Sequence, residues 1–288
     1  MFSRDNKWFL LILLSLIWGS SFILIKRGLT GLTPFQLGSL RIIFACLFML
    51  IVGFKSLRHI PANKWKYVAL TSVFGNGLPV FLFAYAQMGI KSSVSGILNS
   101  LTPLYTLLIG ALVFGLTFIR NQIFGVLLGL TGCTFLVFFG KSSSGETHYF
   151  HAFLVVIATV CYATNVNLIK RYLSDVSPLA ITTGNFLTLF IPALLILFNN
   201  GYAEAIHTPA VITSTLFIAI LGIIGTGIAN IIYYQLIQIT SPLFASSVTF
   251  FIPIVAMCWG FLDGESLNLM QIIGACIILC GVYVASKK

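Results

Sequence analysis

Arg41 has the clearest chemical potential in the chain, because it lies in an otherwise apolar stretch, seven positions after Pro34. At the rise of an α-helix, this spacing places it about 10 Å along the helix. A cation at such depth in hydrocarbon costs at least ~2.5–3.5 kcal/mol unless it has a partner. The apolar stretches contain no deep Asp or Glu. Arg41 could therefore bridge helices or snorkel outward, or it could bind an anionic solute or take part in gating, and both interpretations stay open.

Amide, hydroxyl and aromatic side chains recur at helical spacing along the same stretches. Any one of them could join two helices, but as a set they favour a wet cavity for a solute. Besides Arg41, the candidates for its lining are Trp18, Asn76, Asn99, Tyr162, Asn165, Asn185, Asn230, Tyr234 and Thr249. The candidates for kinks or gating are Pro103, Pro253, Gly77 and Gly227. Proline frees a helix carbonyl, and glycine permits bending or close packing.

The elements that carry these residues are long apolar segments. Hydrophobic residues make up 58% of the 288-residue chain and charged residues only 8%, whereas a soluble domain has about 25% charged residues. The apolar residues recur in blocks of about twenty, the length at which a helix spans a bilayer. This composition predicts an all-α polytopic membrane protein and argues against a soluble enzyme, a nucleic-acid binder and a disordered chain.

The blocks between charges, prolines and polar clusters predict ten transmembrane helices. Their approximate bounds are 8–26, 34–54, 66–88, 93–115, 121–139, 150–170, 178–198, 209–236, 242–262 and 267–285. The short connections leave no room for a soluble catalytic module, and no catalytic constellation converges within a span, so neither an enzyme nor a cofactor or metal is expected. Lys and Arg are concentrated in the loops on the side of the amino terminus. This bias predicts cytoplasmic termini in a multi-pass protein of the plasma (inner) membrane.

The two halves of the chain resemble each other. Leu-Ile-Lys-Arg closes both the first and the sixth span, at 24–27 and 168–171, and a proline follows seven residues later in each case. Pro103 in span four corresponds to Pro253 in span nine. Because five helices are an odd number, the second copy enters the membrane from the opposite side. We therefore predict two inverted five-helix repeats, 8–139 and 150–286, an arrangement typical of alternating-access transport with the solute held near the midplane.

The chain also resembles the drug/metabolite transporter superfamily, specifically its ten-helix EamA-type members. The first half has a similar opening pattern, with Trp18-Gly19-Ser20-Ser21-Phe22, Lys26, Pro34 and Arg41. The second half has a similar closing pattern, with Gly227, Tyr233, Ser241, Pro253, Gly260, Glu265, Gln271, Gly274 and Gly281. One departure is that Gly115-Leu116 stands where the first half would carry the acid of that pattern. The resemblance implies export or import of small metabolites through a central cavity, with export favoured.

The intramembrane side chains limit the expected solute. Transporters that hold cations usually need an intramembrane carboxylate, and its absence from the apolar stretches disfavours polyamines, metal ions and proton-coupled export of cationic drugs. Arg41, the amides and the aromatic residues suit a neutral, zwitterionic or weakly anionic solute such as an amino acid. The alternatives are a multidrug or quaternary-amine transporter that uses cation–π contacts, and a membrane scaffold or scramblase. The expected partners are a small solute and the lipid bilayer, without nucleic acid, and the protein could be a monomer or a homodimer.

Overall fold

The computed structural model describes residues 6–115, 120–138, 149–265 and 268–286, and within these ranges it contains helices and no strand. The predicted repeat boundary at residue 139 and Leu116 lie outside the described residues. Ten long helical segments are present in the described ranges. They are α1 (Lys7–Gly28), α2 (Pro34–His59), α3 (Ala62–Ala86), α4 (Ser92–Phe114), α5 (Arg120–Phe138), α6 (Tyr149–Tyr172), α7 (Pro178–Asn199), α8 (Pro209–Ile239), α9 (Pro242–Leu262) and α10 (Leu269–Ser286).

Eight of these segments, all except α5 and α10, are long and apolar enough to cross a membrane. The outer surface fits a lipid environment, because large apolar side chains stand fully exposed on it, such as Ile51, Leu112 and Phe261, each at least 80% exposed. Water-soluble surfaces rarely expose apolar patches on this scale. The chain is therefore a helical, multi-pass membrane protein. That α5 and α10 also cross the membrane, for ten spans in all, stays a prediction.

Local sequence signals explain where several helices begin. A hydroxyl residue followed by proline precedes α2, α7, α8 and α9. The Thr33 hydroxyl accepts a hydrogen bond from the backbone N–H of Gln36, and the Ser177 and Ser241 hydroxyls accept equivalent bonds at α7 and α9. Such a side chain satisfies one of the free N–H groups of the first turn, and a proline in that turn has no N–H to satisfy.

Four helices that meet at the centre of the bundle are irregular in the middle. π-helical stretches interrupt α3 at Val73–Gly77 and α8 at Leu221–Ile228. A turn at residues 100–101 breaks α4 just before Pro103, and a 3₁₀ stretch at Ser247–Phe250 breaks α9 just before Pro253. Proline has no N–H to donate to the carbonyl four residues earlier. At α4 this carbonyl belongs to Asn99, and the Thr102 hydroxyl donates to it instead, at 2.7 Å.

The packing places the irregular helices around the centre. α2 packs along α7, α3 and α4 pack on α6, and α1 packs on α8 and α9. α5 and α10 pack most extensively on each other, away from this centre. Their contact depends on glycine: a Cβ on Gly281 would lie 2.5 Å from the backbone nitrogen of Gly129 and 2.7 Å from the carbonyl oxygen of Gly125. Glycine at position 281 therefore permits close contact of α10 with α5 at Gly125 and Gly129.

Candidate functional site

A cavity of about 70 Å³ lies at the centre of the bundle, between α1, α2, α3, α4, α6, α8 and α9. Eight of the predicted lining residues line it: Trp18, Arg41, Asn76, Asn99, Tyr162, Asn165, Asn230 and Thr249. The other lining residues are Ser21, Phe22, Ile25, Gly75, Val80, Phe83, Thr102, Gly225, Thr226, Tyr233 and Ile252. Two predicted residues, Asn185 and Tyr234, are buried beside the cavity and do not line it.

Arg41 supplies the positive charge of the cavity. Its side chain is buried on α2, and Nε donates a hydrogen bond of 2.7 Å to the Thr226 hydroxyl on α8. That hydroxyl donates in turn to the carbonyl of Leu221 at 3.0 Å, across one turn of the π-helical stretch. Within the described residues, Arg41 forms no ion pair with an Asp or Glu. The positive charge is therefore held by a neutral hydroxyl and is not neutralised by an acid.

Aromatic rings form the apolar wall of the cavity. The Trp18 and Tyr233 rings meet edge to face with centroids 4.7 Å apart, and the Phe83 ring lies between Phe22 and Tyr162 at 5.6 and 5.9 Å. Trp18 also donates its indole N–H to the carbonyl of Gly225 at 3.0 Å. A π-helical stretch disturbs the regular pairing of backbone groups, and buried carbonyls need another donor. The indole fills this role at α8.

A chain of polar side chains runs beside the cavity and joins α8, α3 and α7. The Asn230 amide donates to Asn76 Oδ1 at 2.5 Å, and Asn76 Nδ2 donates to the Tyr234 hydroxyl at 3.2 Å. The Tyr234 hydroxyl lies 3.1 Å from the side-chain amide of Asn185. With the amide nitrogen oriented to donate to the carbonyl of Val68 at 3.0 Å, the amide oxygen accepts a hydrogen bond from the Tyr234 hydroxyl. Each of these groups has a partner, as buried polar networks require. This chain acts as a connection between helices.

Two residues of the cavity lining carry buried amide oxygens that differ from this chain. Asn99 Oδ1 on α4 and Asn165 Oδ1 on α6 are buried, and neither has a hydrogen-bond donor among the described residues. The Asn165 amide packs against Gly75, where a Cβ would lie only 2.6 Å from Nδ2. An unpaired buried acceptor costs about 1–3 kcal/mol. The cavity thus contains acceptor capacity as well as a cation.

A charged cluster closes the bundle where α1, α4 and α9 meet. Lys26 Nζ lies 2.6 Å from Asp263 Oδ2 and 2.8 Å from Glu265 Oε1, and Arg27 also pairs with Asp263. The Glu265 carboxylate accepts hydrogen bonds from the hydroxyls of Ser92 and Ser93, both at 2.7 Å, and from their backbone N–H groups at 3.2 Å.

These contacts determine the ionisation of Glu265. Burial by itself would raise the pKa of its carboxyl group, but hydrogen bonds from Lys26, Ser92 and Ser93 outweigh burial and lower the pKa to about 2. The pKa of Asp263 is lowered as well, mainly by its hydrogen bond with Lys26. The cluster therefore remains charged at neutral and mildly acidic pH.

The opposite end of the bundle has a different chemistry. Lys170 on α6 occupies the position that corresponds to Lys26 on α1, and its Nζ donates to the carbonyls of Ile237, Gln238 and Thr240 at 2.6–3.1 Å. α4 ends there at Gly115, which has a positive φ of 70°. Gly115 corresponds to the region just after α9 in the second half, where the closing pattern has its acid, Glu265. Backbone carbonyls at the end of α8 bind Lys170 where carboxylates bind Lys26.

Thr226 and Tyr233 also line the cavity, although they are not among the site residues predicted from the sequence. A signal for Thr226 was present: it stands between Gly225 and Gly227, as Asn76 stands between Gly75 and Gly77. Pro103 and Pro253 lie at the breaks of α4 and α9, and Gly77 and Gly227 lie in the π-helical stretches. The structure thus places all four candidates for kinks or gating at irregular positions.

Comparison with known proteins identifies the family. The model of the EamA-like transporter family matches residues 6–138 and again residues 150–287. Similar proteins include the "Probable amino-acid metabolite efflux pump" of Salmonella typhimurium, 25% identical over 96% of this chain and 93% of the relative. The protein of the same name in Escherichia coli K12 is 25% identical, with the same coverage. An uncharacterised transporter of Archaeoglobus fulgidus is 24% identical over 98% of this chain and 99% of its own length.

A solved crystal structure has the same fold, with a TM-score of 0.70 and 18% identity over 99% of this chain and 98% of that chain. The similarity in fold extends from one end of the chain to the other, as do the two matches of the family model together. The resemblance visible in the sequence is thus confirmed, and the chain belongs to the EamA-like transporter family.

Proposed function

We propose that this protein is a secondary transporter that carries a small organic solute, an amino acid or a similar neutral, zwitterionic or weakly anionic metabolite, across the plasma membrane. The observation that carries the proposal is Arg41, a buried cation on a central cavity that has no acid partner among the described residues. A solute carboxylate would offset the cost of burying this charge. The relatives named amino-acid metabolite efflux pumps agree with such a solute and favour export.

Alternating access by two inverted repeats is part of the proposal. Residues of the two halves that face the cavity correspond in sequence: Gly75 and Gly225 are 150 positions apart, each in a π-helical stretch. Trp18 and Tyr162 are 144 positions apart at the same place in α1 and α6. The family model also matches once in each half. Inverted repeats that share a site between them can rock around it and expose it to either side in turn.

The size of the cavity supports a mechanism that needs movement. At about 70 Å³ it has less than half the volume of a cavity of about 150 Å³ that holds benzene. An amino acid with a sizeable side chain needs a larger volume than this cavity provides. We therefore expect the bundle to open further when it admits its solute, with the helices bending at the breaks in α4 and α9.

The charged cluster around Glu265 is the expected closure on one side. With both termini in the cytoplasm, as the Lys and Arg bias predicts, Lys26, Asp263 and Glu265 lie at the extracytoplasmic end. Opening in that direction requires α1 and α4 to separate from the end of α9. The bonds of Lys26 and of Ser92 and Ser93 to Glu265 must then break.

The test is counterflow into proteoliposomes that are loaded with unlabelled solute. The panel comprises the twenty common L-amino acids, simple carboxylates, nucleosides and choline. We expect saturable accumulation of at least one labelled amino acid, and its loss in Arg41→Ala protein that still elutes as folded material. A protein that exchanges none of these solutes would contradict a transport function and favour a scaffold or scramblase.

The aromatic wall formed by Trp18, Tyr233 and their neighbours favours one alternative, a transporter of quaternary amines. Aromatic faces attract such cations, whereas the charge of Arg41 repels them. Choline counterflow that persists or increases in the Arg41→Ala variant, without any exchange of amino acids, would decide for this alternative.

A further inference from the structure

We infer that the side-chain oxygens of Asn99 and Asn165 bind a protonated amino group of the solute, so that the cavity receives both charged ends of a zwitterion. The inference rests on the proposed transport function and specifies its ligand as an α-amino acid or a molecule with the same pair of groups. Arg41 would bind the carboxylate of that ligand, and the two amides would bind its ammonium group.

The oxygens of the two amides have acceptor capacity that no described residue uses. Asn99 is 5% exposed and Asn165 is 3% exposed, both line the cavity, and neither Oδ1 has a donor among the described residues. An amide oxygen accepts up to two hydrogen bonds. The nearby amides differ in this respect, since Asn76 and Asn185 use their oxygens within the polar chain.

Irregular positions in two helices, α4 and α3, hold these amides in place. Asn99 is the last residue of the first part of α4, and its backbone carbonyl accepts a hydrogen bond from the Thr102 hydroxyl. The Asn165 amide lies against the π-helical stretch of α3, in space that exists only because residue 75 is glycine. The two acceptors come from different halves of the chain. A donor bound between them would therefore connect the halves.

The groups of the cavity lining also favour a zwitterion over a simple ion. A simple anion would pair with Arg41 and leave both amide oxygens without a donor. A simple cation would be repelled by Arg41, and no described residue of the cavity lining is a carboxylate that could hold it. A zwitterion supplies a carboxylate to Arg41 and hydrogen-bond donors to both amide oxygens, and it adds no net charge to that of Arg41. The aromatic faces of Trp18 and Tyr162 add a favourable environment for an ammonium group.

The test compares three probes in purified protein, with affinity measured from the thermal stabilisation that a ligand produces. For each common L-amino acid, the three probes are the amino acid itself, its N-acetyl derivative and its amide. The N-acetyl derivative lacks the ammonium group, and the amide lacks the carboxylate. We expect the best amino acid to bind at least about tenfold more tightly than its N-acetyl derivative, the effect of one lost charge-assisted hydrogen bond. In Asn99→Leu and Asn165→Leu variants this ratio should approach one. Asn165→Asp, which keeps an acceptor oxygen and adds a charge, should preserve the ratio and improve binding of the amide probe.

Asn167→Leu is the matched control, because it removes an amide from the same helix outside the cavity. Asn167 Nδ2 donates to the carbonyls of Thr106 and Ala163, both at 3.0 Å. This variant should melt at a lower temperature and keep the ratio of the intact protein. An unchanged ratio in both Asn99→Leu and Asn165→Leu would overturn the inference.

The failure of the inference and the failure of the proposed function are distinguishable. Counterflow of a solute without an amino group, together with no binding of any amino acid, would overturn the zwitterion site and leave transport intact. The absence of counterflow for every solute would overturn the proposed function itself.

Discussion

Replacement of Glu265 by glutamine should destabilise the protein strongly, although the two side chains have nearly the same shape. The Glu265 side chain is only 5% exposed and accepts bonds from Lys26, Ser92 and Ser93. Glutamine keeps one side-chain oxygen, but an NH₂ group replaces the second carboxylate oxygen. This NH₂ group cannot accept the hydrogen bonds that the second oxygen accepted, and it faces their donors. Lys26 retains its contact with Asp263 at 2.6 Å, so the cation is not left alone.

The magnitude follows from these contacts. Removing one partner of a buried ion pair costs about 3–5 kcal/mol when the other charge is left uncompensated. Because Asp263 still compensates Lys26, we expect a lower value, about 2–4 kcal/mol, close to one or two charge-assisted hydrogen bonds. At about 2–4 °C per kcal/mol for a chain of this size, the melting temperature should fall by at least about 4 °C.

The assay is thermal unfolding in detergent micelles, with Asp175→Asn as the matched control. Asp175 pairs with Lys64, but its side chain is 64% exposed, and exposed ion pairs contribute less than about 1 kcal/mol. We expect a much smaller shift in melting temperature for this variant. Equal shifts for Glu265→Gln and Asp175→Asn would refute the conclusion that burial and the serine donors make the Glu265 cluster structurally important.

The dependence on pH adds a second measurement for the same residue. The folded protein lowers the pKa of Glu265 from 4.5 to about 2, so its carboxylate stabilises the fold fully above about pH 4.5. That contribution is lost as the pH falls toward about 2. The stability difference between the native protein and Glu265→Gln should therefore be constant from pH 6 to pH 8 and should shrink in acid. A difference that changes near pH 7 would mean that Glu265 takes up a proton there.

Two further substitutions test the walls of the cavity. Gly75→Ala should weaken amino-acid binding by about tenfold or more, because the new Cβ displaces the Asn165 amide. A Cβ at Gly77 would lie 3.2 Å from the flexible Leu189 side chain and 3.4 Å from the Ser72 carbonyl oxygen, so Gly77→Ala should change binding far less. Equal effects in ligand titrations would count against the placement of Asn165. Trp18→Phe leaves the carbonyl of Gly225 without its indole donor. The free energy of unfolding should therefore fall by about 1–3 kcal/mol. An unchanged melting temperature would show that water or another group replaces the donor.

The helices and their irregular positions were accessible from the sequence for physical reasons. Blocks of apolar residues determine the spans, because the thickness of the bilayer fixes their length. Pro103 and Pro253 indicated breaks, because proline removes a backbone donor wherever it stands. The depth of Arg41 followed from its distance from Pro34. All of these depend on residues close together in the chain.

The roles of the individual amides could not be predicted in the same way. Asn185 and Asn165 have the same chemistry and similar apolar surroundings in the sequence. Asn185 is satisfied by Tyr234 on α8 and by a carbonyl on α3, whereas Asn165 lines the cavity and its buried oxygen has no donor among the described residues. The difference depends on how the helices are rotated against each other. The cluster of Lys26 with Glu265 likewise joins residues from opposite ends of the chain.

The measurement that tests the central claim most directly is amino-acid counterflow in proteoliposomes that contain Arg41→Ala, Arg41→Lys or Arg58→Ala protein. Arg58 is the matched control because it is an exposed cation in the last turns of α2, away from the cavity lining. Arg41→Ala should lose exchange, and Arg41→Lys should retain only part of it, because lysine keeps the charge but not the planar donor group that pairs with carboxylates. Arg58→Ala should exchange normally. Undiminished exchange by folded Arg41→Ala protein would contradict the claim that the buried arginine binds the carboxylate of the transported solute.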